Sequence, residues 1–274
     1  MKTTIPIQKS KEDIRLYRTY APYFGKALYR LFILLKEGKI VSGVDLEKYF
    51  CASFPHWQDV EYPFAKEKNY LQEPFEYSIC VSVNEKIGHG RPTCEPFKTG
   101  DIISVDCGIA LPTEHGRRLH YDSAFTVCFN SSQPDWIFEP YRALCKIVDK
   151  QSKSIHEIAK TISDTAKEAN LQVVVSLTGH GIGYALHEAP YIRNAPGNYA
   201  DTQLIEGLCF CIEPMYVLPT VGETLVPHFA RTYVNSDGWS VITENGQPSS
   251  HFESMFCINN GNLVDLVGVT DWFR

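Results

Sequence analysis

Apolar residues at helical spacing dominate the first part of the chain. A stripe of Ile, Tyr, Phe and Leu predicts a helix from Ser10 to Glu37, and Asp13 stands where a capping box with Ser10 needs its acidic partner. Pro22 interrupts the interior of this stripe. We therefore expect either a kinked helix or one that begins later.

Two helical pairs of similar layout occur along the chain. A predicted helix over 44–54 completes the first pair, and the second begins near Trp136. Each pair precedes predicted strands that carry a histidine, His89 after the first and His180 after the second. This repetition indicates an internal duplication of two α/β halves.

Shorter apolar runs predict strands between and after the helices. They cover 78–83, 102–109 and 121–129, and the C-terminal third is mostly of this type. No linker, low-complexity tract or charge run divides the sequence. We therefore predict an α+β fold in a single domain over 1–274.

A predicted hairpin in the middle of the chain carries two aspartates. Asp106 ends the run IISVD and Asp122 lies within YDSAFTVCF, while Pro112, Gly116 and charged residues between them indicate a connecting loop. Folding the hairpin would place both carboxylates on one face. Two such charges repel each other unless a cation lies between them or one is protonated.

Composition narrows the class of protein. The formal net charge of −6 argues against a general binder of nucleic acid or of an anionic membrane. The nine cysteines form no CxxC pair and several lie in apolar runs, which is typical of buried thiols in a reducing compartment. No signal-peptide core or membrane-length apolar run is present, so we expect a cytoplasmic protein.

Four further residues are candidates for chemistry. His180 and His89 each lie between glycines, which allow close approach of a ligand. Glu213 lies in the apolar run CIEPM, and Glu253 lies in HFESMFCI. Each alone has an ordinary explanation, a satisfied core histidine or a salt-bridged carboxylate.

Their conjunction with the aspartates is more specific. Four carboxylates and one glycine-flanked histidine follow in the order Asp106, Asp122, His180, Glu213 and Glu253. This is a ligand set for two adjacent divalent ions such as Mn, Fe, Co or Zn.

The same segments resemble the type I methionine aminopeptidases of the pita-bread fold, in their compact bacterial form. The resemblance runs from about residue 10 to the end. It implies two pseudo-symmetric α/β halves around a central antiparallel sheet. The matching segments are SVNEKIGHGRP, KTGDIISVDCG, YDSAFTV, GHGIGYALHEAP, EGLCFCIEPM, and DGWSVITENG followed by HFES.

The resemblance implies a dinuclear centre. Asp106 would be a ligand of one metal ion, and His180 with Glu213 would be ligands of the other. Asp122 and Glu253 would bridge the two ions. A bridging water or hydroxide would attack the carbonyl that follows the first residue, with Glu213 as proton carrier.

The resemblance also implies the substrate contacts. His89 and His187 would position the substrate and stabilise its oxyanion. The side chain of the N-terminal methionine would enter a pocket of apolar groups, for which core packing is the alternative at each position. The pocket candidates are Phe75, Cys80, Leu186 and Trp239. Substrates would be nascent polypeptide N-termini, including at the ribosome, with a small second residue, and the protein would be a monomer.

The chain departs from the family pattern near the site and in two loops. The connection between the aspartates and the segment between Met215 and Trp239 are longer than usual. The first of these loops is expected over 111–120, and within it we expect His115 and His120 to be solvated rather than extra ligands. Substitutions near the expected site are Arg91, Leu186, Ser254 and Met255.

Three other functions remain open from the sequence. The first is an Xaa-Pro aminopeptidase or prolidase of the same fold, which usually carries a large extra N-terminal domain. The second is a specialised paralogue with a narrower peptide set. The third is a non-catalytic module that binds a protein partner, and the presence of all five ligand residues argues against it.

Overall fold

A computed structural model of the chain describes residues 5–54, 57, 59–69, 71–220 and 228–274. Across those residues, no helix combines the length and apolar character needed to cross a membrane. The helices of the described chain are α1 (Lys11–Lys36), α2 (Gly43–Cys51), α3 (Glu139–Lys150) and α4 (Ile155–Glu168), with 3₁₀ helices at Pro63–Lys66, Asp135–Phe138 and Val269–Asp271.

The first helix begins where the sequence predicts. The Ser10 hydroxyl accepts from the Asp13 backbone N–H at 3.1 Å, and the Asp13 carboxylate accepts from the Ser10 N–H at 3.0 Å. This is the predicted capping box. The helix continues through Pro22, so the later start is wrong. Phe24 and Leu28 are fully buried, and such packing stabilises a helix more than local propensity does.

The second helical pair begins later than predicted because of a proline. An α-helix over Trp136 and Pro140 would bring the proline ring against the Trp136 carbonyl, four residues back. The chain instead forms the 3₁₀ helix Asp135–Phe138, and α3 begins at Glu139 with Pro140 in its first turn. Proline is tolerated in that turn, where its missing N–H has no helical partner.

The predicted end of the second helix in the first pair is also wrong. The helix α2 ends at Cys51, not at 54. Phe54 extends the apolar pattern of the helix in the sequence. In the structure it lies beyond the helix end, where it is buried and stacks on Phe24 with 6.3 Å between ring centroids.

The strands of the described chain form four sheets, of three, five, four and three strands. Sheet orders are β1-β3-β4, β15-β14-β8-β6-β7, β10-β5-β9-β13 and β11-β12-β2, and every pair is antiparallel except β10 with β5. Their bounds are β1 (Ile79–Val83), β2 (Lys86–Gly88), β3 (Ile102–Pro112), β4 (Arg118–Cys128), β5 (Gln172–Val174), β6 (Gly179–Gly181), β7 (Glu188–Ile192), β8 (Cys209–Ile212), β9 (Met215–Val217), β10 (Phe229–Ala230), β11 (Thr232–Val234), β12 (Val241–Thr243), β13 (Ser249–His251), β14 (Ser254–Asn259) and β15 (Asn262–Asp265).

The hairpin β3–β4 is longer than the sequence suggested. Its ladder extends from the pair Ile102 and Cys128 to the pair Pro112 and Arg118, which leaves only 113–117 as the turn. The expected loop from 111 to 120 is wrong because Leu111 and Leu119 are buried, which extends the pairing outward.

The β1-β3-β4 sheet meets the five-stranded sheet beside the predicted site. An isolated antiparallel bridge joins Ala124 of β4 to Glu253, with N–H to O distances of 2.9 and 3.3 Å. The Ser123 hydroxyl adds a hydrogen bond to the Glu253 carbonyl at 2.6 Å. The register of one sheet therefore fixes the position of a carboxylate carried by the other.

A glycine in α1 sets how closely that helix approaches the C-terminal segment. A Cβ atom at Gly25 would lie 2.1 Å from the Val267 carbonyl oxygen. We expect Gly25→Ala to lower the free energy of unfolding by about 1–3 kcal/mol through overpacking. Urea unfolding of both proteins measures this change. An exposed helical glycine would instead gain about 1 kcal/mol from the same substitution, so a more stable variant would contradict the close packing.

Candidate metal centre and substrate pocket

Strand pairing aligns the carboxylates on one face of the first sheet. Cys80 pairs with Asp106, Asp106 pairs with Ala124, and Ala124 bridges to Glu253, so all four side chains share a face. Asp122 lies two residues from Ala124 on the same face, opposite Gly108, which has no side chain. The prediction that the hairpin brings both aspartates to one face is confirmed.

The second sheet supplies a histidine and another carboxylate. Nδ1 of His180 lies 3.0 Å from the Gly181 carbonyl and donates to it, so Nε2 presents its lone pair. This Nε2 lies 3.7 Å from Asp122 Oδ2 and 3.7 Å from Glu213 Oε1. A ring held in this way, facing two carboxylates, is oriented as a metal ligand.

Burial makes the carboxylates costly to ionise. It raises the pKa of Asp106 to about 7, and burial together with the Asp106 charge raises the pKa of Glu213 to about 8. The pKa values of Asp122 and Glu253 lie well above their ordinary range, first through burial and then through the neighbouring carboxylates.

The donor set fits divalent cations. Asp106 Oδ1, Asp122 Oδ1 and Glu253 Oε1 are buried, and none has a hydrogen-bond partner among the described residues. A buried polar atom without a partner is unfavourable. Carboxylate oxygens with one imidazole nitrogen are suitable ligands for Mn, Fe, Co or Zn. A cation would satisfy the three oxygens and remove the repulsion between them.

All eleven residues named from the sequence line one cavity of about 120 Å³. The lining contains both the metal-ligand candidates and the side-chain pocket candidates, and Cys80 lies beside Asp106 in the strand pairing. Phe75 and Leu186 are buried, and Phe75 packs edge-to-face on Trp239 at 5.0 Å between ring centroids. His89 and His187 are exposed at the rim. Their proximity is thus established by the structure, while their individual roles remain predictions.

Three further residues at the site were missed from the sequence. Phe64 and Glu67 line the same cavity. Cys211 offers its sulfur beside ligand atoms of Asp122, His180 and Glu253, and these four atoms lie within 4.8 Å of one another. Cys211 stands two residues before Glu213, and this alternation along a strand was the available signal. Phe64 and Glu67 have no comparable signal.

The glutamates lie at strand boundaries rather than strand centres. Glu213 follows the end of β8 and precedes Pro214, while Glu253 precedes β14. Proline cannot donate to a ladder, which explains the break between β8 and β9. Glu213 therefore projects from a gap between strands instead of from the middle of one.

His120 is not solvated as expected. It is partly buried in β4, and its backbone N–H and Nδ1 lie 2.9 and 3.0 Å from the Gly183 carbonyl. It is not part of the ligand cluster. His115 in the turn is exposed, as expected.

The substitutions beside the site have local explanations in part. The Ser254 hydroxyl donates to Asp265 at 2.5 Å, and Met255 is fully buried. Nothing in the structure explains Arg91. The segment between Met215 and Trp239, which we expect to be longer than in the family, includes 221–227, and these lie outside the described residues.

Comparison with known proteins identifies the family. The model of metallopeptidase family M24 matches residues 34–259. A methionine aminopeptidase of Mycoplasma capricolum is 30% identical, and the match covers 91% of this chain and 93% of the relative's length. Methionine aminopeptidase 1 of Bacillus subtilis is 33% identical, and the match covers 71% of this chain and 75% of the relative's length. The chain therefore belongs to metallopeptidase family M24, among the methionine aminopeptidases.

A solved structure supports the same fold. The crystal structure of methionine aminopeptidase from Rickettsia prowazekii aligns with a TM-score of 0.80 at 23% identity, covering 96% of this chain and 100% of that chain. The predicted pita-bread fold is confirmed.

The raised pKa values predict how stability changes with pH in protein stripped of divalent cations. Between about pH 4 and pH 8, the folded state binds more protons at Asp106 and Glu213 than the unfolded state does. The free energy of unfolding should therefore fall as pH rises through this window. Urea unfolding with a chelator measures the slope, and Asp106→Asn should reduce it. A rising slope at these pH values would contradict the prediction.

Proposed function

We propose that the protein is a metal-dependent aminopeptidase that removes the N-terminal methionine from polypeptides, preferentially before a small second residue. The observation that carries the proposal is one cavity whose lining combines a buried cluster of carboxylates and a histidine with apolar and aromatic side chains. The relatives named methionine aminopeptidase support it. The preference for a small second residue rests on the family resemblance.

The metal ligands would be Asp106, Asp122, His180, Glu213 and Glu253. We propose two divalent ions, Co, Mn, Fe or Zn, because four carboxylates exceed the charge that one divalent ion balances. Bound cations would polarise the scissile carbonyl and lower the pKa of water. The acidic cluster also favours the positive charge of a free amino terminus, which restricts the reaction to chain ends.

Glu213 would carry the proton. Its Oε1 faces the cavity near His180, and its side chain is 12% exposed. From that position it would accept a proton from the attacking water and deliver it to the leaving amine.

The two rim histidines would orient the substrate. The His187 ring lies edge-to-face with the ring of His180 at 4.5 Å between centroids, which places it at the border of the cluster. His89 lines the same cavity, and its backbone φ of 55° lies in the left-handed region. Both would donate hydrogen bonds to the peptide whose carbonyl is attacked.

The apolar side chains in the cavity lining would hold the methionine side chain. Phe75, Cys80, Leu186 and Trp239 face the cavity, and Phe64 adds to its wall. Methionine is long, unbranched and polarizable, so it suits a narrow pocket with aromatic sides.

Location, assembly and domain organisation belong to the proposal as well. All nine cysteines are free, and six of them are buried, which suits a reducing compartment such as the cytoplasm. We propose a monomer that acts on nascent chains, including at the ribosome. The extent of the domain over 1–274 also stays a prediction.

A peptide assay tests the activity against the Xaa-Pro alternative. Metal-free protein supplied with Mn²⁺, Co²⁺ or Fe²⁺ should release methionine from Met-Ala-Ser, more slowly from Met-Leu-Ser, and should leave an Ala-Pro-Ser peptide intact. Absence of methionine release with every metal would overturn the proposal. Release of alanine from Ala-Pro-Ser would favour the alternative.

A single ligand substitution tests the metal centre. Asp122→Asn should lower kcat/KM for Met-Ala-Ser by at least about 100-fold, since loss of even outer-sphere partners costs 10- to 100-fold. Isothermal titration with Mn²⁺ should show two sites in the wild type and weaker binding in the variant. Glu114→Gln, which removes an exposed carboxylate of the hairpin turn, is the matched control. Full activity in Asp122→Asn would refute the ligand assignment.

A pocket substitution tests where the methionine side chain binds. Phe75→Leu removes part of an aromatic wall and should raise KM for Met-Ala-Ser about 5- to 10-fold with little change in kcat, because the contact is the same in substrate and transition state. Phe97→Leu, at a partly buried phenylalanine that packs on Phe129 outside the cavity, is the control. An unchanged KM would assign Phe75 to core packing alone.

A further inference from the structure

The segment between His180 and His187 is held by residues that belong to none of the groups assigned above. It runs from Ile182 to His187 and carries the pocket residue Leu186. Its position decides where the His187 ring lies relative to the metal cluster.

A buried ion pair lies directly under this segment. Lys9 Nζ is 2.7 Å from Glu188 Oε2, and the two side chains are 0% and 4% exposed. Glu188 Oε1 accepts the backbone N–H groups of Tyr184 and Ala185 at 2.7 and 3.0 Å. One carboxylate thus ties the turn to the residue that follows His187.

Close packing fixes the lysine in place. Its ammonium also donates to the Ile7 carbonyl at 2.8 Å, and its backbone N–H donates to the Gly207 carbonyl at 2.7 Å. A Cβ at Gly183 would lie 1.6 Å from Lys9 Cε, so the turn and the lysine stem are in direct contact.

The hairpin β3–β4 also contacts the same segment. His120 donates to the Gly183 carbonyl, and the Arg117 guanidinium lies 4.2 Å from the centroid of the Tyr184 ring. The Tyr184 hydroxyl donates to Asp13 at 2.6 Å. The turn of β3–β4, where we expect the chain to be longer than its relatives, therefore contacts the segment that carries His187.

We infer that Lys9 and Glu188 are positioning residues that hold the segment 182–187, and with it His187, in the arrangement needed for peptide hydrolysis. The inference rests on the proposed function, in which His187 contacts the substrate. Breaking a buried pair leaves an uncompensated charge, which the segment relieves by moving. A displacement of about 1 Å at a catalytic group can lower the rate about 100-fold.

Kinetics of single and double variants test the inference. Lys9→Met and Glu188→Gln should each lower kcat for Met-Ala-Ser about 10- to 100-fold, with KM and Mn²⁺ affinity close to wild type. The double variant buries no unpaired charge and should recover part of the lost kcat. Lys11→Met, which removes an exposed lysine two residues away, is the control and should match wild type.

The outcomes separate the two claims. Failure of the wild type to cleave Met-Ala-Ser would overturn the proposed function itself. An active wild type with unchanged kcat in both single variants would overturn only the positioning role. So would a double variant whose loss equals the product of the single losses, or losses in Mn²⁺ binding that parallel the losses in kcat. Should Lys9→Met not fold, a double variant with kcat no higher than that of Glu188→Gln would overturn the positioning role, and a higher kcat would support it.

Discussion

Repulsion among buried carboxylates is the constraint on which this structure depends. Asp106, Asp122, Glu213 and Glu253 lie together where they are largely removed from water, and burial raises the pKa of each. A fold gains nothing in stability from such a cluster unless protons or cations occupy it. Strand pairing elsewhere in the protein must therefore hold the cluster together against its own charge.

The strand register meets this requirement. A slip of one residue between β3 and β4 would turn Asp106 to the opposite face, and a slip at the Ala124 bridge would turn Glu253 away. The buried apolar residues along these strands make such slips unfavourable. The same alternation that fills the core thus fixes the position of the ligands.

Sequence patterns correctly predicted those structural features that depend on the spacing of neighbouring residues. The capping box at Ser10 and the common face of the two aspartates follow from helix and strand periodicity. The sequence pattern failed to predict positions that are decided by a contact with a residue far away in the sequence. His120 was assigned to a solvated loop because its strand pairing and the Gly183 carbonyl are not visible locally, and Lys9 resembles any surface lysine until Glu188 is placed beside it.

The buried carboxylates fall into two sets, one that the protein itself pairs and one that it leaves partly unpaired. Glu188 is buried, yet Lys9 and two backbone N–H groups satisfy its carboxylate within the chain. Asp106, Asp122 and Glu253 each keep an oxygen that the described residues do not satisfy. A protein that compensates one buried acidic group so fully, and leaves an oxygen unsatisfied on each of three others, has those oxygens directed at a ligand. The internally paired carboxylate then stabilises the segment that borders that ligand, which is why the two sets lie side by side.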